Sequence, residues 1–197
     1  MQWLLISIPL IAIVFITELY RKKENPFLNI AITLTGIIYL SLPVMLMVLI
    51  AFGFTPDDGI AYHGKVIMGC IFLLWGSDTG AYMIGSKFGK HRLFERISPK
   101  KSWEGFFGGM FTSLLVAWIN SMWFPDLNLM EWMMVAVIIV TSGTLGDLVE
   151  SMLKRSLNVK DSGTIFPGHG GILDRFDGLL ISMPFVFFYL FLIGRFG

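Results

Sequence analysis

Charge is scarce in this chain. Only 15% of its 197 residues are Asp, Glu, Lys or Arg, whereas 55% are hydrophobic, and the mean hydropathy is +0.71. A soluble domain of this length needs more charge and less apolar surface, so the composition excludes an ordinary water-exposed globule and points to a lipid environment. Cysteine is nearly missing as well. The single Cys70 excludes a disulfide framework, and its place inside an apolar run makes it a packing residue. With no cysteine partner and no second histidine close to His169, the sequence argues against a zinc site. A net charge of +1 gives no signal for nucleic acid; the distribution of charge is more informative than its sum.

Long apolar runs are what the chain has in quantity. Six are read: Trp3 to Tyr20, Ile30 to Phe54, Val66 to Tyr82, Phe106 to Phe124, Trp132 to Leu145 and Leu179 to Ile193. A helix needs about 20 residues to cross the hydrocarbon. The last two runs are short by that measure and each abuts a polar motif, which suits helices that begin or end at a protein-lined polar cavity. The first run has no Ala-x-Ala-like cleavage site and no basic residue ahead of it, so it reads as a membrane anchor rather than a signal peptide. If Arg21, Lys22 and Lys23 are cytoplasmic and the spans alternate, thirteen of the fifteen Lys and Arg residues fall on that side, with Lys65 and Arg195 opposite. The positive-inside rule favours this arrangement. No linker, low-complexity tract or internal repeat interrupts it. The expectation is therefore an all-α, polytopic integral membrane bundle of about six helices with both termini outside and a polar cavity on the cytoplasmic side. It forms one domain over 1–197, with N-terminal helices in 1–74, the chemistry in 75–177 and a last helix in 178–197.

Five polar stretches break the apolar pattern. Asp78 lies inside the third run, and an acid there costs about 2.5–3.5 kcal/mol on insertion scales unless it faces a cavity or a partner. Gly85 to Arg92 and Ser98 to Gly105 mix glycine with Lys and Arg, a composition suited to phosphate oxygens and equally to lipid headgroups. Ser98-Pro99 reads as a turn. Asp147, Glu150, Ser151, Lys154 and Arg155 fall on one helical face. Carboxylate and hydroxyl oxygens there are the hard ligands Mg²⁺ takes, and the cations further along suit phosphates. Beyond lie Lys160-Asp161, a glycine-rich turn around His169, and Asp174 with Asp177 three apart at the mouth of the last helix. His169 is open to three roles: general base, phosphate contact, or a ring that orients Asp174.

The stretch Ser151-x2-Lys154-Arg155-x4-Lys160-Asp161-x-Gly163-x2-Phe166-Pro167-x-His169-Gly170-Gly171-x2-Asp174-Arg175-x-Asp177 resembles the signature of the phosphatidate cytidylyltransferases, or CDP-diacylglycerol synthases, without a departure over its span of 27 positions. Asp78-Thr-Gly-Ala-Tyr82, Ser98-Pro-Lys-Lys-Ser-Trp-Glu-Gly105 and Gly146-Asp147 are similar to that family too. The resemblance implies transfer of the cytidylyl group of CTP to phosphatidate, with Mg²⁺ and a second, potassium-like cation. It implies Asp147 and Asp174 as leading metal ligands, helped by Ser151, Asp78 and Asp177. It gives Lys154, Arg155, Lys160, Arg175 and the 98–102 segment (Ser98, Lys101 and Ser102 among them), with the Gly170-Gly171 turn, as contacts for nucleotide and lipid phosphates. Family members commonly carry further hydrophobic helices ahead of the region equivalent to Trp3, which implies a short form or an N-terminal truncation.

The implied chemistry is in-line attack on the α-phosphorus of CTP by a phosphate that is already an oxyanion, at a site facing the cytoplasm of the inner membrane. The partners are CTP, phosphatidate and the bilayer, with a homodimer left open. Three competing readings stay open: a related CTP-dependent lipid-phosphate transferase or lipid kinase, an ion-coupled transporter using Asp78 and Glu150, and an inactive scaffold. Asp174→Asn is expected to remove nearly all turnover in a chain still folded in detergent; near-normal turnover would overturn that residue's assignment.

Overall fold

The computed structural model of the chain describes residues 2–55, 59–60, 62–156, 159, 171 and 173–195. Six helices follow in order: α1 (Gln2–Arg21), α2 (Pro26–Phe52), α3 (Gly64–Phe88), α4 (Trp103–Trp123), α5 (Leu129–Ser156) and α6 (Leu173–Leu192). Two antiparallel hairpins interrupt them: β1 (Phe54–Thr55) with β2 (Gly59–Ile60), and β3 (Arg92–Phe94) with β4 (Ser98–Ser102). Among the described residues, α2, α3, α4 and α5 are long and apolar enough to cross a membrane, and α6 contributes a shorter apolar stretch, Phe176–Leu192. The expected all-α membrane bundle is what forms. Compact packing divides the chain into two units, Met1–Leu42 and Pro43–Gly197, with the boundary at a proline inside α2.

In the first unit the turn between α1 and α2 is tight, with Lys22 and Asn25 both at positive φ. Pro26 then opens α2, where its missing N–H has no helical partner to lose. Glu18, nearly buried, accepts from Asn29 Nδ2 at 2.6 Å and from Arg21 at 3.2 Å, so one carboxylate fastens the end of α1 to the start of α2.

The second unit holds the site. Its core joins Leu73 and Cys70 of α3, Trp132, Val135 and Ile139 of α5, and Met183, Val186 and Leu190 of α6, all fully buried. Cys70 is thus the packing residue its neighbours implied. The outer faces carry exposed Phe111, Trp118, Phe185 and Phe188, side chains that lipid rather than water accommodates.

α3 and α4 approach through small residues. A Cβ at Gly109 would stand 2.7 Å from the Ser77 carbonyl oxygen. At that separation, side-chain donors on α4 reach backbone carbonyls of α3: Thr112 to Gly76 at 2.8 Å, Ser113 to Leu73 at 3.2 Å and Asn120 to Gly69 at 3.1 Å. Such interhelical bonds, with small residues between, hold helices together where lipid supplies no hydrophobic drive. α5 and α6 approach in the same way at Gly143, Gly146 and Gly178; a Cβ on Gly146 would stand 2.8 Å from the Asp177 carbonyl oxygen.

Two local expectations shift. The turn placed at Ser98-Pro99 lies one step earlier, at residues 95–97, and Ser98 and Pro99 open β4 instead. Proline is tolerated at the beginning of an edge strand, where its missing N–H breaks no ladder bond. The fifth apolar run, short when read alone, belongs to a helix of 28 residues that continues unbroken through the polar stripe to Ser156. Gly109→Val, which forces α4 away from the Ser77 carbonyl, is expected to cost about 1–3 kcal/mol. Thermal unfolding in detergent should therefore show a clearly lowered Tm, and an unchanged Tm would mean that the two helices do not need this approach.

Candidate active site

The close contact of α5 with α6 decides where the acids stand. Asp147 directly follows Gly146, and Asp177 directly precedes Gly178, so the glycine contact brings the two carboxylates to one level. Glu150, one turn on from Asp147, completes the group. One carboxylate oxygen from each of Asp147, Glu150 and Asp177 lies within 4.8 Å of the others. Glu150 is almost wholly buried, with 1% of its surface exposed.

Each acid has a fixed partner. Glu150 Oε2 lies 2.7 Å from Lys154 Nζ one turn along α5. Asp147 Oδ2 lies 2.5 Å from Lys101 Nζ, which comes from β4, while its Oδ1 accepts from Ser151 at 3.3 Å. Lys101 also donates to the Thr144 carbonyl at 3.4 Å. Asp177 Oδ1 accepts from the backbone N–H of Gly178 at 2.7 Å. For Glu150, buried away from water, the pairing is stronger than in solvent and its loss would cost correspondingly more, whereas the half-exposed Asp147–Lys101 pair is screened by solvent.

These groups share the wall of one cavity of about 640 Å³, within the range of small-molecule sites. α3 contributes Asp78 and Tyr82, the hairpin contributes Arg92, Lys100 and Lys101, and α5 and α6 contribute Asp147, Glu150, Lys154 and Asp177. Ser102, also on the wall, accepts from the Gly105 N–H at 3.2 Å and so caps the N-terminus of α4. Its oxygen serves the helix in addition to lining the cavity.

The structure therefore brings together Asp78, Lys101, Ser102, Asp147, Lys154 and Asp177 of the residues singled out by sequence. Ser151 supports Asp147 but is not part of the wall, Arg155 is exposed on α5, and Ser98 begins β4 away from the wall. Gly171 is described and buried. Lys160, His169 and Gly170 lie outside the described residues; Asp174 and Arg175 belong to α6, with side chains outside the described set. Glu150 belongs to the stripe whose carboxylates suit Mg²⁺, but it is absent from the ligand set that the family resemblance implies. It stood on the correct stripe at i+3 from Asp147, and nothing in its type marked it as buried.

An oxygen-only set of three carboxylates fits a hard divalent cation. Oxygens around Mg²⁺ at about 2.0–2.1 Å stand roughly 3–4 Å apart, so the group needs only small side-chain movement to share one ion. Together these features define a class: a helical membrane protein with an acid-and-cation cavity suited to phosphates and a divalent metal.

Comparison with known proteins narrows the class. The sequence profile of the cytidylyltransferase family matches residues 1–193. The phosphatidate cytidylyltransferase of Staphylococcus aureus (strain COL) is 42% identical over 180 residues, covering 89% of this chain and 65% of that protein. Those of Staphylococcus epidermidis (strain ATCC 12228 / FDA PCI 1200) and Staphylococcus haemolyticus (strain JCSC1435) are each 43% identical with the same coverage. The chain belongs to the cytidylyltransferase family, and it spans 65% of the length of these curated relatives.

Replacing Glu150 by Gln should weaken binding of Mn²⁺, a paramagnetic substitute for Mg²⁺, by about 10–100-fold in an electron-spin-resonance titration. Unchanged affinity would exclude Glu150 from the metal group.

Proposed function

We propose that this chain transfers the cytidylyl group of CTP to phosphatidate, giving CDP-diacylglycerol and pyrophosphate. The observation that carries the reading is the meeting of three carboxylates with Arg92, Lys100, Lys101 and Lys154 in one cavity. The family membership and the activity named for its relatives support it.

The reaction makes a bond from a phosphatidate oxygen to the α-phosphorus of CTP. It breaks the bond from that phosphorus to the bridging oxygen, whose electron pair leaves with pyrophosphate. The attacking phosphate is an oxyanion near neutral pH, so no general base has to create it. The barrier lies in bringing two anions together and in the charge that gathers on the leaving group. Fixed cations and alignment lower such a barrier. Lys100, Lys101 and Arg92 on one side of the cavity and Lys154 on the other are placed to take phosphate oxygens. Arg155, Lys160 and Arg175 extend that cationic set in sequence.

Asp147, Glu150 and Asp177, with Asp174 from the same turn of α6, would hold Mg²⁺. The metal would supply charge neutralisation at the transferring phosphate and a fixed orientation for it. Asp78 and Ser151 complete the polar surroundings, and a potassium-like second cation remains part of the proposal through the family resemblance alone. The site faces the cytoplasm on this reading, because that side holds the excess of Lys and Arg and supplies CTP. Phosphatidate reaches the same mouth from the bilayer, its headgroup lying at the interface.

Pyrophosphate release by the purified chain in detergent tests this reading. Release is expected only with CTP, phosphatidate and Mg²⁺ all present, falling to background when any one is omitted. Release that ignores phosphatidate would show simple CTP hydrolysis and overturn the assignment of the acceptor.

A further inference from the structure

Three of the cavity's cations ride on the β3–β4 hairpin, and a carboxylate outside the cavity fixes that hairpin's root. Glu104, the second residue of α4, turns back across the chain entering β3. Its Oε2 accepts from the Lys90 N–H at 3.2 Å, both its oxygens lie 3.2 Å from the His91 N–H, and the Nδ1 of His91 is 2.6 Å from Oε1. The carbonyl of His91 accepts from the Trp103 N–H at 2.9 Å. His91 is thereby held by its N–H, its carbonyl and its ring, although the ring is 80% exposed.

The next residue is Arg92, on the cavity wall and paired in register with Ser102. Between Arg92 and Phe94 the register shifts, so the strand ladder does not by itself fix the direction of Arg92. An isolated two-stranded hairpin is marginal in water. Lys101 has a tether of its own on Asp147, whereas Arg92 and Lys100 depend on the hairpin that carries them.

We propose that Glu104 is a positioning residue for nucleotide binding: through His91 and the hairpin root it holds Arg92 and Lys100 where they meet the polyphosphate of CTP. This rests on the reading of the cavity as the CTP site. A carboxylate at the N-terminus of a helix is favoured by the helix dipole, which anchors the clamp to α4 and leaves the hairpin as the element being placed.

In the full chain in detergent, Glu104→Ala is expected to raise the KM for CTP about tenfold, the equivalent of one lost charge-assisted hydrogen bond. The KM for phosphatidate should stay within about twofold. Glu104→Gln, which keeps an acceptor for the backbone N–H groups, should recover most of the loss. Glu104→Ala combined with Arg92→Met should be clearly less severe than the product of the two single effects, since the clamp acts through Arg92. A nitroxide attached at Arg96→Cys, in the turn of the hairpin, should become more mobile in Glu104→Ala and stay ordered in Glu104→Gln. An unchanged KM for CTP, multiplicative effects with Arg92→Met, or an unchanged nitroxide spectrum would each overturn the proposal. A parent chain that consumes no CTP would sink the reading of the cavity instead, and the nitroxide spectra would still decide whether Glu104 orders the hairpin.

Discussion

α5 and α6 cross where neither helix carries a side chain. A Cβ at Gly146 would stand 2.8 Å from the Asp177 carbonyl, and one at Gly178 would stand 3.3 Å from that of Gly143. The acids of the site are the immediate neighbours of these glycines. Asp147 and Asp177 cannot part unless the helices part, and Glu150 follows from Asp147 by the pitch of α5 alone. The carboxylate cluster is therefore a property of backbone packing. Its tolerance is set by the rigidity of two long helices rather than by the mobility of a loop, and ligand positions built on such elements are held more tightly than those on loops.

Crowding acids at the end of a membrane bundle raises the problem of their mutual repulsion. The described wall of the cavity resolves it with four acids, Asp78, Asp147, Glu150 and Asp177, and four cations, Arg92, Lys100, Lys101 and Lys154. Lys154 serves the most deeply buried carboxylate from within the same helix. Lys101 serves Asp147 from a different element and so ties the hairpin to α5. A wall close to neutral in total has no surplus charge for a nucleoside triphosphate, which brings about four negative charges. On the proposed reading, with a divalent cation held at the acids, Lys101 would be free to turn toward phosphate oxygens, so metal and nucleotide would favour one another's binding.

Much of this was legible in the sequence, and for identifiable reasons. Hydropathy gave the helices, because lipid permits few alternatives for a spanning segment. The i, i+3, i+7 spacing put Asp147, Glu150 and Lys154 on one face, and the structure places all three on one wall. Depth was not legible. Glu150 looks like any solvated helix acid in the sequence, and its 1% exposure comes from tertiary packing that helical spacing does not show. Nor was Ser102 legible as a helix cap, since its position beside Lys100 and Lys101 is equally that of a phosphate contact. The β3–β4 hairpin was hidden because it is short, irregular and opened by a proline, all features that read as loop.

The two halves of the site are built from different materials, and the difference matches what each would bind on the proposed reading. Metal ligation tolerates errors of only tenths of an ångström, and the carboxylates sit on helices locked by glycine contact. Phosphate oxygens accept a lysine ammonium over a broader range of directions, and most of the cations sit on a two-stranded hairpin that two tethers hold. One of those tethers, Lys101 to Asp147, involves a residue of the metal group and is exposed to change when a cation or nucleotide arrives. The other, His91 to Glu104, lies outside the cavity and would not compete with a nucleotide bound there. On the proposed reading, a hairpin held only by the first would lose its register on binding, and the second would let Lys101 exchange partners while the rest of the hairpin keeps its place.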